Sequence, residues 1–407
     1  MIKVAFVTTA SLDSPYGIGR CYPLAKYLAR LGCQVHIVAL HHNWTSVTHP
    51  YQMQENVHIH HVGQMHVRKV GDDTLYFPPP KLAWIAAQGL LALTRALLAI
   101  QPDIIHIGKP HPQNSIAAFI AAHTSSGRTL LLDYDDYEAG INRFGHPLER
   151  RVIQFCEDRV PRHVHGVTTH SSFLKERLIY LGLRPDRIMR LPSGFDPERF
   201  QRRSHEDVLA LESRLGIRGR RVALYVGTIS FNNHPIDLLL EAFARVAPVQ
   251  SDVVLVLAGG GADLERARHL AEQLGVDSQC RFLGRVPPDR VPLLLQAAMF
   301  SVDPTRKSAT EKARWPLKIV ESLAAGIPVV TGDIGDRREM LDNGQAGILT
   351  TPDDVASLAD GLLMAYTQES RIRTMGDAAK RLSERYNAEL LAEQLMGFYH
   401  KFRADNR

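Results

Sequence analysis

The chain has 407 residues, 45% hydrophobic and 22% charged, with a formal net charge of +5. This is ordinary globular composition, long enough for two or three domains, and too weakly basic to argue by itself for nucleic acid. Four scattered cysteines (Cys21, Cys33, Cys156, Cys280) form no CxxC pair, so they read as reduced thiols rather than a disulfide framework or a zinc site.

The opening "KVAFVTT" reads as a strand and not as a signal peptide, because its apolar run is short and β-branched. "SPYGIGRCYPLAKYLARLG" then sets Gly17 and Gly19 between that strand and a helix. Glycines there permit close approach of backbone or ligand, and the helix start offers free N–H groups; a turn that merely packs is the alternative. A dinucleotide fingerprint is not met, since Tyr22 stands where its third glycine falls and the second strand ends "VALHH" without an acid for a ribose. His41, His42, His58, His60 and His61 crowd this region, and His58 and His60 share a strand face. Without cysteine partners they read as surface histidines rather than zinc ligands.

"KLAWIAAQGLLALTRALLAI" follows three prolines and is interrupted by Gln88, Gly89, Thr94 and Arg95. It reads as a buried or amphipathic helix rather than a membrane span. "DIIHIGKPHPQNS" puts His106 in a strand, with Lys109 and His111 just past its end. "LLLDYDDYEAG" ends the next strand in Asp133, Asp135, Asp136 and Glu138. So many acids cannot all be buried unpaired, so they are expected to face solvent, a cation or a hydroxylated ligand. No second ligand cluster supports magnesium.

Strands alternate with helices throughout, which argues for parallel α/β architecture. A second series begins near Arg220, after the linker-like "LPSGFDPERFQRRSHED". The boundary is placed near residue 197, and two such domains are expected to face each other across a cleft, because ligands of open α/β sheets bind at C-terminal strand ends. Gly259, Gly260 and Gly261 make a second turn suited to close approach. "ARWPLKIVESLAAGIPVV" is the most pointed stretch. A proline suits the first turn of a helix, but Arg314 and Lys318 at that end oppose the helix dipole. A bound diphosphate would compensate, held by the free N–H groups and the two cations. Glu321, one turn on, could accept from sugar hydroxyls. The alternative is a solvated basic turn with a Lys–Glu pair.

In order and spacing, "LYVGTI", "LLLEAFARV", "LVLAGGG", "RFLGRVP", "PLKIVESLAAGIPVV" and "GDIGDRREML" resemble the donor-side domain of a retaining glycosyltransferase of the GT-B fold, family 4. "YGIGR", "DIIHIG", "VTTHSSFLKERL" and "LPSGFDPERF" resemble its other domain. The resemblance covers essentially the whole chain. It implies two Rossmann-like domains, residues 1–196 on the acceptor side and 197–382 on the donor side, with a terminal helix in 383–407 crossing back. It further implies transfer of a sugar from a nucleoside-diphosphate sugar to an acceptor hydroxyl with retained anomeric configuration. That reaction demands stabilisation of a leaving diphosphate and an oxocarbenium-like centre, and it is expected to use no metal and no cofactor beyond the nucleotide-sugar co-substrate.

Carried over in this way, Glu321 binds the ribose, the amides near Leu317 hold the diphosphate, and the segment around Val286 meets the base. Gly19, with Gly17 and Arg20, approaches the donor from the first domain. The catalytic candidates are Asp135, which stands where the family has a histidine, His106 and Lys318. The chain departs from the pattern at Thr228, where the family has an arginine, at Asn233 and His234, where it has a lysine, and at Ala313, where it has the first of two glutamates, Glu311 lying two residues early. Arg314 and Lys318, with Lys307 or Lys312, are expected to make up the missing charge. The expectation is a divergent but active enzyme; a nucleotide-sugar-binding protein without transfer is the alternative. A cytoplasmic protein is expected, without a nucleic-acid partner. A lipid-linked or polysaccharide acceptor and contact with the inner membrane face are compatible with the apolar helix and the basic charge.

Overall fold

Runs such as "VVLVLA" (Val253–Ala258) are buried from end to end, the pattern of parallel strands covered by helices on both faces. The computed structural model, which describes residues 1–70, 73–124, 127–141 and 147–404, arranges such runs into two parallel sheets. Each belongs to its own unit, one of residues 1–194 with 388–407 and one of residues 195–387.

The first unit runs β1 (Lys3–Thr8), α1 (Tyr22–Arg30), β2 (Gln34–His41), β3 (Tyr51–Gln54), β4 (Val57–Gln64), β5 (Val67–Val70), β6 (Asp73–Tyr76), α2 (Pro79–Ile100), β7 (Ile104–Gly108) and α3 (Pro112–His123). It continues through β8 (Thr129–Tyr134), α4 (Glu138–Ile141), α5 (Pro147–Arg159), β9 (Gly166–Thr169), α6 (Ser172–Tyr180) and β10 (Ile188–Arg190). Its sheet has the order β10-β9-β8-β7-β1-β2-β4-β3, parallel except for β3. The second unit runs α7 (His205–Leu215), β11 (Arg221–Val226), α8 (Ile236–Val246), β12 (Val253–Ala258), α9 (Leu264–Gln273), β13 (Cys280–Gly284), α10 (Val291–Gln296) and β14 (Phe300–Asp303). It ends with α11 (Ala309–Ala313), α12 (Leu317–Ala324), β15 (Val329–Gly332), α13 (Arg337–Met340), β16 (Gly347–Thr350), α14 (Val355–Thr367) and α15 (Glu369–Ser383). Its strand order is β13-β12-β11-β14-β15-β16. The last helix, α16 (Ala388–Ala404), packs on α1 of the first unit through Leu391, Leu395 and Tyr399.

The unit boundaries differ by a few residues from those read in the sequence. The chain changes units at Gly194–Phe195 rather than at 197, because the Gly194 N–H donates to Gly19 (3.0 Å) while the Phe195 N–H donates to Tyr386 (3.0 Å). It returns at 388 rather than 383, because Tyr386 still packs edge-on against Trp315 in the second unit. The glycine loop after β1 also differs, closing into one π-helical turn, Gly17–Cys21. A Cβ on Gly17 would lie 2.2 Å from the Leu12 carbonyl oxygen, so only glycine fits there. The β5–β6 hairpin and β10 were not anticipated: each is short, and among the described residues the hairpin forms a separate two-stranded sheet.

A polar chain runs through the first unit's core. Arg20 donates to both carboxylate oxygens of Asp133 (Nε–Oδ2 2.6 Å) and to the Leu191 carbonyl, and Thr168 donates to Asp133 (2.8 Å). His106 pairs one ring nitrogen with the Thr168 hydroxyl (3.2 Å) and the other with the Tyr399 hydroxyl (2.8 Å), and stacks on Phe6. These contacts correct two expectations. Arg20 and His106, taken as substrate-binding and catalytic, are each 1% exposed and fully engaged, and they tie the π-turn and α16 to the sheet.

Burial takes the His106 pKa down to about 4, so the folded state holds this ring neutral where an unfolded chain would bind a proton. Stability therefore falls as pH drops from the ordinary value near 6.5 towards 4. Between pH 7 and 5 this one group is expected to cost about 2 kcal/mol. Chemical denaturation of the parent and His106→Gln at both pH values checks it; the variant should lose part of the pH dependence, and equal slopes would contradict the assignment.

Candidate active site

In the second unit, β14 ends in Asp303, aimed at the start of α12. Arg337 donates to Asp303 Oδ2 (2.9 Å), Thr331 donates to the same oxygen (3.1 Å), and the Lys318 ammonium lies 3.3 Å from Oδ1. Arg337 continues to Glu311 (2.6 Å), and Glu311 holds Arg314, which also donates to the Asn233 carbonyl. Burial alone would raise the Asp303 pKa, but Arg337 and Lys318 outweigh it and hold this carboxyl below the usual carboxylate range. Three cations (Lys318, Arg314, Arg337) thus meet two carboxylates (Asp303, Glu311), an excess of one positive charge. His234 stands beside them, and burial followed by Lys318 and Arg314 keeps its pKa well below the ordinary value.

Lys318 is the unusual member. Its Nζ lies 4.2 Å from the Tyr225 ring centre, is buried, and has no hydrogen-bond acceptor among the described residues; Asp303 is at ion-pair distance only. Burial lowers its pKa. An ammonium held in this way retains donors for an incoming oxygen. The helix it starts has no side-chain cap, and Pro316 is its N-cap residue rather than part of its first turn. Lys318 and Glu321 line one small pocket with Val226 and Ser322. Glu321 is buried, its pKa raised by burial, and it takes a 3.4 Å contact from Arg199, which also donates to the Pro288 carbonyl (2.9 Å). The segment after Val286 therefore adjoins Glu321.

The structure thus gathers Leu317, Lys318, Arg314, Glu321 and the Val286 segment at one end of the second sheet. Thr228 is there too, exposed, its carbonyl accepting from the Tyr225 hydroxyl (2.7 Å). Loop glycines allow this crowding: a Cβ on Gly259 would lie 1.7 Å from the Gly227 carbonyl oxygen. Arg314 is not the free cation that was expected, because Glu311 and Asn233 already occupy it. Lys307 and Lys312 point to solvent. Asp303, Glu311 and Arg337 were not assigned from sequence; the signal available was an acid at a strand's C-terminal end and an arginine at the start of a later short helix.

The first unit carries a second charged cluster, at the ends of β7 and β8. Lys109, at a left-handed φ of 67°, reaches Asp136 (3.0 Å), Glu138 and Asp135 (3.6 Å). Glu138 also meets His111 (3.2 Å), whose other ring nitrogen meets the Thr9 hydroxyl (2.9 Å). The acids expected to face solvent or a ligand are therefore split: Asp133 serves Arg20, and the other three surround a lysine. They form the only cluster of metal-compatible carboxylates among the described residues, and the Lys109 ammonium supplies a positive charge to it. Asp135 is buried, and its Oδ1 lacks a hydrogen-bond partner. Burial raises its pKa well above the ordinary value, opposed by Lys109. Gly19, expected to approach a donor, spends its carbonyl on Gly194.

Against known families, residues 20–199 match the model described as Glycosyltransferase Family 4, and residues 211–382 match that described as Glycosyl transferases group 1. One curated relative is the alpha-monoglucosyldiacylglycerol synthase of Streptococcus pneumoniae, 27% identical over 56% of this chain and 52% of that protein. The chain spans between about a quarter and about half of the length of the first curated relatives it matches. Among solved structures, sucrose-phosphate synthase from Thermosynechococcus elongatus aligns over 100% of both chains with a TM-score of 0.79 at 17% identity. Anabaena HepE in complex with UDP-glucose aligns over 98% of this chain and 100% of that one, with a TM-score of 0.73 at 19% identity. The two family models together account for most of the sequence and the structural likeness extends over nearly all of it: the chain belongs to the GT-B-fold glycosyltransferases, a Family 4 domain followed by a group 1 domain.

Proposed function

We propose that the chain transfers a sugar from a nucleoside-diphosphate sugar to an acceptor hydroxyl, with the anomeric configuration kept. The observation that carries this reading is the buried Lys318 ammonium, beside Asp303 at 3.3 Å but without a well-aligned hydrogen-bond acceptor among the described residues, at the uncapped start of α12 next to an excess of one positive charge. A diphosphate supplies what both lack: oxygens for the ammonium and the N–H groups of Leu317 and Lys318, and negative charge for the dipole. Glu321, one turn further on, accepts from the ribose hydroxyls, and the Val286 segment covers the base.

As the glycosidic bond breaks, charge grows on the leaving diphosphate, and fixed donors there lower the barrier without reorganising. Front-face attack by the acceptor, its proton passing to a departing phosphate oxygen, completes a retaining transfer. The cations of the chain itself carry the charge in this scheme, so no metal is invoked. In the first unit Asp135 is the proposed polar contact for a ligand hydroxyl. The donor is UDP- or GDP-linked, the first being the form bound by the Anabaena neighbour. The acceptor is lipid-linked or a polysaccharide, in keeping with the lipid product named for the Streptococcus relative, and the protein is placed in the cytoplasm at the inner membrane face.

A specific observation favours a second reading, nucleotide-sugar binding without transfer: Arg314 is already occupied, and Thr228 puts no charge opposite it. Incubating the purified chain with UDP- and GDP-sugars, with and without candidate acceptors, separates the two. Release of nucleoside diphosphate supports transfer; binding without release from any donor supports the second.

For the binding site itself, Lys318→Met and Glu321→Ala are each expected to weaken nucleoside-diphosphate affinity by about ten- to a hundredfold, from about 1.5–3 kcal/mol for a charged hydrogen bond. Asp135→Ala is expected to change it little. Isothermal titration with UDP and GDP, alongside thermal unfolding to verify folding, reads this directly. Parent-like affinity in both second-unit variants would remove the site.

A further inference from the structure

The stretch "LPSGFDPERFQRRSHED" has a linker's composition, yet its aromatic side chains belong to the second unit's core. Phe195 and Phe200 are buried, pack edge-on at 5.5 Å, and join the cluster that holds Ile319, Val320 and Leu323 of α12. Between them the chain turns tightly. The Asp196 carboxylate accepts from the Glu198 N–H (3.1 Å), and its carbonyl accepts from the Arg199 N–H (3.0 Å). Held in this way, the Arg199 guanidinium lies over the Phe200 ring, 5.6 Å from its centre, and reaches Glu321.

Arg199 bridges two parts of the donor site. Its Nη2 donates to the Pro288 carbonyl (2.9 Å), in the segment after Val286, and lies 3.4 Å from Glu321 Oε1. Glu321 is 7% exposed, and its Oε2 has no hydrogen bond among the described residues. The neighbours lining its pocket from β11, α10 and β14 (Val226, Val291, Leu295, Ser301) carry no charge. Lys318, one turn earlier on α12, is drawn to Asp303. Arg199 is therefore the cation that answers this buried carboxylate: burial raises the Glu321 pKa, and Arg199 opposes the rise. The charge matters for a ribose. An ionised carboxylate only accepts and holds two hydroxyls strongly, whereas a protonated one turns an oxygen into a competing donor.

We propose that Arg199 is a positioning residue of the donor site. It keeps the Glu321 carboxylate charged and turned to the ribose and ties it to the segment over the base, so that the site takes ribonucleotides in preference to 2′-deoxyribonucleotides. The inference rests on the nucleotide-binding reading of this site and deepens it.

The test is calorimetric titration of the full chain with UDP and 2′-deoxy-UDP between about pH 6 and 8, or with GDP and 2′-deoxy-GDP where these bind more tightly. The ratio of the two affinities is the readout, because the diphosphate and its own titration are common to both and cancel. The parent is expected to favour the ribonucleotide about tenfold or more across this range. Discrimination is present above the Glu321 pKa and is lost as pH falls through it. Arg199→Leu moves that loss to higher pH, so its ratio should approach one at the acid end and recover as pH rises. Arg199→Lys restores the charge without the second arm and should recover most of the parent's ratio. Glu321→Gln should give a reduced ratio that does not vary with pH. Thermal unfolding verifies that each variant folds. A residue that merely supported the fold would weaken both nucleotides alike and leave the ratio unchanged. A parent-like ratio at every pH in Arg199→Leu, with Glu321→Gln still losing it, would overturn the role of Arg199 and leave the donor site standing. Absence of any nucleoside-diphosphate binding, or parent-like binding in both Lys318→Met and Glu321→Ala, would remove the donor site and this inference with it.

Discussion

The carboxylate of Asp303 is the fixed point of the second unit's site. A helix start bearing Arg314 and Lys318 is unfavourable by itself, because both the dipole and mutual repulsion oppose it. Asp303 holds Arg337 and stands beside Lys318, Arg337 passes to Glu311, and Glu311 secures Arg314. Each buried charge thereby has a partner, and losing one partner of such a pair typically costs about 3–5 kcal/mol. The lattice is stable but incomplete: it stops one negative charge short, with an ammonium that has donors to spare. That shortfall is the chemical opening for a diphosphate.

The first unit uses the same construction with the opposite balance. At the ends of β7 and β8, one lysine serves three carboxylates, and Asp135 keeps an oxygen unpaired. Excess acid suits hydroxyls, which can donate to it, and does not suit phosphates. Behind this cluster, Arg20, Asp133, Thr168, His106 and Tyr399 form a satisfied core network that joins the π-turn, three strands and the last helix. Buried networks of this kind specify one arrangement of a core, because a half-satisfied one is worse than an apolar one. In both units the groups with free valence lie at C-terminal strand ends, and the fully paired groups lie behind them.

Much of this was legible in the chain. Continuous apolar strands separated by helical stretches gave the parallel α/β architecture, and the motif order gave the two halves. The start of α12 drew attention because its charges contradicted the dipole, and the contradiction was real. The partners of those charges were not legible: Asp303, Glu311 and Arg337 are brought together from β14, α11 and α13, separations that no local pattern encodes. The same limit explains His106 and Arg20. A histidine on a strand and an arginine beside glycines look like site residues, and only the packed core reveals that Tyr399, nearly three hundred residues later, and Asp133 have already claimed them.

The measurement that bears most directly on this account is a crystal structure of the chain soaked in a sugar nucleotide. The account predicts the pyrophosphate against the N–H groups of Leu317 and Lys318, the Lys318 ammonium turned to a phosphate oxygen, and the ribose on Glu321. A ligand bound elsewhere, with the start of α12 still closed on Asp303 and Glu311, would contradict it.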